Sequence, residues 1–334
     1  MREEECVMER RRQKKRRRVD AEVLFIHGLE SGPNGCKVIV LRKEEKRRLR
    51  KLEEAYRLLD KTSHEGEEEE EEEDFCFRFT VPNMHMSVWS LDRRNSIVRQ
   101  LLLLPEFLVT IAAAGFFLFA CAQWLRPLSF FWAAFLLTLL LLVLLARVQR
   151  WKSKAVARSL DACVRVQATA LQEIIERSKQ ENTGETGKQK QIVVIGSSWG
   201  GAVAAQLLVR GHWRGPTLLL APAIQRVQDL IDPKQTPLLL QRLREIAKQL
   251  DSPVAIMHAP EDDTIPFVHS MALCNEGGEE GEGENPTRQK GIRMITVEGG
   301  GHALKEAAVD GSIRKEMVAL LLATKVMSQK EVIE

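Results

Sequence analysis

The sequence predicts an α/β protein: a mostly parallel sheet of about six strands with helices on both faces, plus an inserted two-helix hairpin. Three observations predict it. Short apolar runs alternate with longer segments of helical spacing through most of the chain. Gln191 to Leu208, QIVVIGSSWGGAVAAQLL, passes from a β-branched run through a glycine turn into small residues and leucines. Between residues 101 and 146 lie two nearly continuous apolar runs, longer than a core helix requires.

Taken in order, Glu22 to His27, EVLFIH, is a first strand ending in a turn rich in glycine and proline, His27-Gly28-Leu29-Glu30-Ser31-Gly32-Pro33. A basic helix follows to about Asp60, with Leu49, Leu52, Ala55, Tyr56 and Leu59 at helical spacing. The acidic run 65–74 repels itself and is expected to be a disordered surface loop. Phe75 to Val81, FCFRFTV, alternates as a second strand. Beyond the hairpin, Trp151 to Lys179 has the pattern of a long amphipathic helix, and a polar linker leads into the strand Ile192 to Ile195. Further strands are expected at Thr217–Leu220, Pro253–His258 and Ile292–Val297. The tract from Asn275 to Glu284 is a flexible insertion by composition, and an amphipathic helix closes the chain.

Leu101 to Ala122 and Leu128 to Ala146 each approach the roughly 20 residues needed to cross a hydrocarbon core, and Gln123 to Pro127 separates them. A transmembrane hairpin over 100–148 is the expectation, with a monotopic hairpin that never crosses as its rival. Two crossings would return the chain to the side it left, as the flanking strands of one sheet require. Arg93, Arg94 and Arg99 precede the hairpin and Arg147, Arg150, Lys152, Lys154 and Arg158 follow it, whereas its turn holds only Arg126. That bias sets both ends facing the cytosol. The division is then a basic tail at 1–20, a first part at 21–99, the hairpin at 100–148, and a second part at 149–328 with an insertion at 275–290.

With 334 residues the chain can bury a sizeable core, and a net charge of +3 argues for no particular partner. The six cysteines form no C-x-x-C pair, which fits reduced thiols rather than a disulfide framework or a zinc site. The N-terminus lacks the apolar core of a secretory signal. No cofactor or metal is implied and no nucleic-acid partner is expected; the partners expected are a lipid bilayer and a small-molecule or lipid ester or thioester.

The stretch Gly196-Ser197-Ser198-Trp199-Gly200 is a G-x-S-x-G turn between strand and helix, tight enough to demand small residues at its flanks. Two more strand ends carry Asp262, in HAPEDDTIP, and His302, in GGGHAL. A serine hydroxyl needs a base within reach to attack a carbonyl, and a histidine in that role needs a carboxylate to fix its tautomer. With FIHGLESGP, GSSWGG, HAPEDDTIP and GGGHAL in this order, the sequence resembles an α/β-hydrolase of the serine esterase/lipase superfamily, and its opening looks like that of small bacterial esterases.

The resemblance implies Ser198 as nucleophile, His302 as base and Asp262 as acid, with the backbone N–H groups of Leu29 and Trp199 as oxyanion donors. Gly28, Gly196 and Gly200 support the turns. Asp262 matches the family's HG-x-x-D-x-x-V-P spacing, with Ala259 in place of glycine, and the adjacent Asp263 remains an alternative. His27 and His258 are expected to be structural strand-end histidines, and His85 an ordinary one. The activity expected is hydrolysis of a lipophilic carboxylic ester or thioester through an acyl-enzyme. The alternative is a catalytically silent membrane scaffold of the same fold; a small transporter is disfavoured because the apolar runs are few and carry ionisable groups only at their ends.

Overall fold

The computed structural model describes residues 17–28, 35–59, 73–86, 93–105, 107, 109–110, 112–113, 115–116, 130–181, 190–250, 252–274 and 291–330. Six parallel strands form one sheet: β1 (Arg17–Ile26), β2 (Glu73–Thr80), β3 (Gln191–Ser197), β4 (Thr217–Leu220), β5 (Val254–His258) and β6 (Ile292–Thr296). Their order across the sheet is β2-β1-β3-β4-β5-β6. Chain direction across the sheet therefore reverses between β1 and β3, which is where an open α/β sheet leaves a crevice at its strand ends.

Alternate side chains feed two separate cores. Leu24, Ile26 and Val194 face one side, against α3 (Phe130–Glu181), α4 (Trp199–Val209), α5 (Ile224–Ile231) and α6 (Thr236–Gln249). Val23, Phe25, Val193 and Ile195 face the other, against α1 (Cys36–Leu59), α8 (Lys305–Val309) and α9 (Ser312–Lys330). Sandwiching on both faces explains why β3, β4 and β5 are almost purely apolar rather than alternating. Strand β1 starts at Arg17, five residues ahead of the expected Glu22, so the basic tail expected over 1–20 lends its last residues to the sheet. The parallel register sets Arg17 opposite Glu73 and Arg18 opposite Asp74. At the edge of the sheet, the buried Glu45 carboxylate accepts the Phe77 N–H at 2.9 Å.

The insertion differs from its expectation. Among the described residues no helix is long and apolar enough to cross a membrane. The first apolar run breaks early: α2 (Ile97–Leu102) ends as Leu104 N–H closes a turn onto Leu101 O, and helix restarts at Pro105, which has no N–H to give. The second run is no separate span. It forms the first part of α3, a single helix of 52 residues that absorbs the expected amphipathic helix as well. From Trp151 onward α3 is anchored on the sheet through Ala155, Val156, Leu160, Cys163, Val164, Leu171 and Ile174. Among the described residues, two apolar helical arms stand where the transmembrane hairpin over 100–148 is expected, joined by Arg147 Nη1 donating to Thr110 Oγ1 at 3.2 Å and by Phe107 edge-on to Trp151. α7 (Phe267–Cys274) completes the described helices of the second part. Residues 1–16 of the basic tail, 65–72 of the acidic run, the arms' connecting turn and the insertion at 275–290 lie outside the described residues.

Candidate functional site

Residue 198 has φ 55° and ψ −118°, a left-handed conformation that costs a non-glycine residue about 1–3 kcal/mol. Close packing holds it there. Ser198 N–H donates to Leu220 O at 2.9 Å, and Ser198 O accepts from Gly201 N–H and Ala223 N–H. The flanking glycines are sterically required: a Cβ on Gly196 would lie 2.6 Å from Gly200 O and 2.7 Å from the Ala204 Cβ, and one on Gly200 would run into the Ile26 carbonyl. Gly28 passes over the serine, 3.2 Å from its Cβ when given a Cβ of its own. The strain lifts Ser198 to the N-terminus of α4, whose first-turn N–H groups have no acceptor within the helix.

Asp262 follows β5 by four residues, and its side chain is fully buried. Oδ1 accepts from the N–H groups of Thr264 and Ile265, both at 2.8 Å; Oδ2 faces His302 Nδ1 at 2.8 Å and His258 Nε2 at 3.0 Å. Burial alone would raise its pKa, but the Ile265 N–H, His302 and Thr264 N–H hydrogen bonds outweigh burial and hold it below the usual carboxylate range. Asp263 is exposed and accepts from its neighbour Thr264 Oγ1. Of the two candidates, Asp262 alone among the described contacts meets His302.

His302 sits in a 3-10 turn, Gly301–Ala303, entered through Gly299, Gly300 and Gly301, all at positive φ. A glycine there meets no Cβ penalty, which explains the Gly-Gly-Gly-His spacing. With Nδ1 against a carboxylate, the proton belongs on Nδ1 and the lone pair on Nε2. Ser198 and His302 line one cleft of about 420 Å³, together with His27, Gly28, Lys37, Val38 and Thr264. It opens at the ends of β1 and β3, where the strand order reverses. Among the described residues no hydrogen bond joins Ser198 to His302.

His258 is fully buried and stays neutral, its pKa lowered chiefly by burial. Nε2 faces two acceptors, Asp262 Oδ2 and Ile265 O, so it carries the proton, and Nδ1 accepts from Ser270 Oγ at 2.7 Å. His27, also lowered chiefly by burial, bonds Gly28 O through Nδ1 and the Met84 N–H through Nε2, latching the end of β1 to the segment after β2. Both strand-end histidines are buried and bonded in place, although His27 also lines the cleft. His85 is exposed with φ 49° and does not line it. Trp199 opens α4 and is buried. Leu29 lies outside the described residues. The sequence did not point to Lys37, whose Nζ donates to Ser197 Oγ and His302 O, nor to Ser270; each is a single polar residue outside any motif.

No protein-family model matches the chain, and no curated protein matches it. Solved structures similar to it include TT1662 from Thermus thermophilus (14% identity, TM-score 0.41, 91% of each chain covered). A Xanthomonas campestris pv. campestris protein described as a hydrolase of the alpha/beta superfamily shares 14% identity at a TM-score of 0.35, over 92% of this chain and 99% of its own. Est1E from Butyrivibrio proteoclasticus, solved with ferulic acid bound, shares 15% at a TM-score of 0.28, over 45% of this chain and 68% of its own. At these scores the likeness assigns no role to any residue of this chain.

Proposed function

We propose that this chain is a serine hydrolase of carboxylic esters or thioesters that works through an acyl-enzyme. The observation that carries the proposal is the His302–Asp262 pair at 2.8 Å, facing the same cleft as a serine in a left-handed strand-to-helix turn. Ser198 Oγ attacks the carbonyl carbon while His302 Nε2 takes its proton; Asp262 keeps the other ring proton on Nδ1 and stabilises the imidazolium. The Trp199 N–H at the start of α4, with that of Leu29, receives the developing oxyanion, and the helix N-terminus favours the negative charge. His302 returns its proton to the departing alcohol or thiol. Water, activated by the same imidazole, then releases the acid and restores Ser198. A fluorophosphonate probe tests this: the wild type is expected to be labelled and Ser198→Ala not. Labelling that survives the substitution, or a wild type that is not labelled, overturns the assignment and favours the silent scaffold.

We further propose that the apolar arms rest on a lipid surface on the cytosolic side, without crossing it. Leu103, Val109 and Phe116 on one arm and Phe135, Leu139, Leu142 and Val143 on the other are exposed, and clustered apolar side chains in water mark a binding face. Arg147, Arg150, Lys152 and Lys154 lie exposed where the longer arm joins the body, suited to lipid phosphates. The protein is expected to float with phosphatidylcholine/phosphatidylserine vesicles, and Leu139→Glu with Leu142→Glu to abolish flotation while leaving probe labelling intact. Unchanged flotation would refute the attachment.

A further inference from the structure

Lys37 stands in the first turn of α1 and bridges two parts of the site. Its Nζ donates to Ser197 Oγ at 2.8 Å and to the His302 carbonyl at 3.0 Å, although Lys37 and His302 lie on segments far apart in the chain. Ser197 is buried and directly precedes Ser198. We infer that Lys37 is a positioning residue that ties the His302 loop to the Ser198 elbow across the cleft. The inference rests on the proposed roles of Ser198 and His302.

The loop needs such a tie because of its backbone. Gly299, Gly300, Gly301 and Leu304 all have positive φ, so the turn holding His302 is built largely of residues with many alternative conformations. Within the loop, Leu304 N–H bonds back to Gly300 O and Gly301 O. The Asp262 contact holds the imidazole at one ring atom and leaves the main chain free to shift beneath it. A hydrogen bond to the His302 carbonyl fixes that main chain. Two fixed points, one on the ring and one on the backbone, direct Nε2 along the cleft towards Ser198. A misplacement of about 1 Å at a proton-transfer partner costs up to a hundredfold in rate.

The test is the fluorophosphonate labelling rate of the full chain at one fixed pH, read beside urea unfolding, for wild type, Lys37→Met, Lys37→Gln and Lys37→Arg. Lys37→Gln makes the same charge change on a polar side chain, which covers the case in which methionine disturbs folding. The uncharged variants are expected to remain folded and to label about ten- to a hundredfold more slowly. Lys37→Arg, which keeps a cationic donor near both acceptors, is expected to recover most of the wild-type rate. Wild-type rates in the uncharged variants, or no recovery in Lys37→Arg, overturn the inference. A wild type that fails to label at all instead removes the proposed function, so the two failures are distinct.

Discussion

Replacing Asp262 by asparagine changes one oxygen of the carboxylate into an NH₂ group and leaves the volume of the side chain unchanged. In the wild type all four partners of this carboxylate are donors: the N–H groups of Thr264 and Ile265 on Oδ1, and the ring N–H groups of His302 and His258 on Oδ2. Neither orientation of an amide can accept from all four. Facing its NH₂ towards the imidazoles opposes donor to donor at two histidines; facing it towards the loop does the same at two backbone N–H groups. Hydrogen bonds to a charged acceptor contribute about 1.5–3 kcal/mol each, and a buried donor left without a partner costs about 1–3 kcal/mol. His302 can turn partly to water, whereas His258 cannot. The expected destabilisation is therefore about 2–4 kcal/mol, read by urea unfolding at pH 7. If His302 takes the other tautomer to match the amide, labelling should fall about 10⁴-fold. The folded carboxyl titrates below its unfolded value of about 4, so its contribution is fully present above that pH and lost as pH falls through the folded value. The carboxylate's own contribution to the gap between wild type and variant should therefore be lost as pH falls below about 4. Asp263→Asn, at an exposed site, is the control and should move stability by less than about 0.5 kcal/mol. Wild-type stability and labelling in Asp262→Asn would refute the reasoning.

Two other outcomes follow from the same geometry. Gly196→Ala places a methyl group 2.6 to 2.9 Å from Gly200 O, Ala204 Cβ and Gly201 Cα, none of them the end of a flexible chain; it should cost about 1–3 kcal/mol in urea unfolding and abolish labelling by displacing the turn. His258 and His27 are held below the ordinary histidine range, so the unfolded chain binds protons that the native state refuses as pH falls below about 6.5. Stability should thus decline between about pH 7 and pH 5, and His258→Gln should flatten part of that slope; an unchanged slope would show that His258 titrates normally.

The parallel sheet was legible because burial on both faces writes itself as uninterrupted apolar runs, as in Ile192 to Ile195 and Pro253 to His258. The elbow was legible for a steric reason, since its glycines stand where no Cβ fits. Strand β1 begins earlier than its apolar core because its backbone pairing with β2 runs back to Arg17, which a run-based pattern does not register. Continuity of α3 was hidden by a change of pattern near Arg147, apolar all round before it and one-sided after it, although the backbone does not break there. Lys37, His258 and Ser270 take their places only through tertiary contacts with distant segments, and a lone polar side chain in a sequence does not announce its partner.

The 52 residues of α3 include neither proline nor glycine, the usual sources of a bend. At 1.5 Å per residue such a rod is roughly 78 Å long, and the portion ahead of Trp151 projects on the order of 30 Å past its first sheet-anchored residue. Whatever grips the far end of that spar therefore fixes the height and tilt of the sheet it is packed on, with no joint along the rod to let it swing.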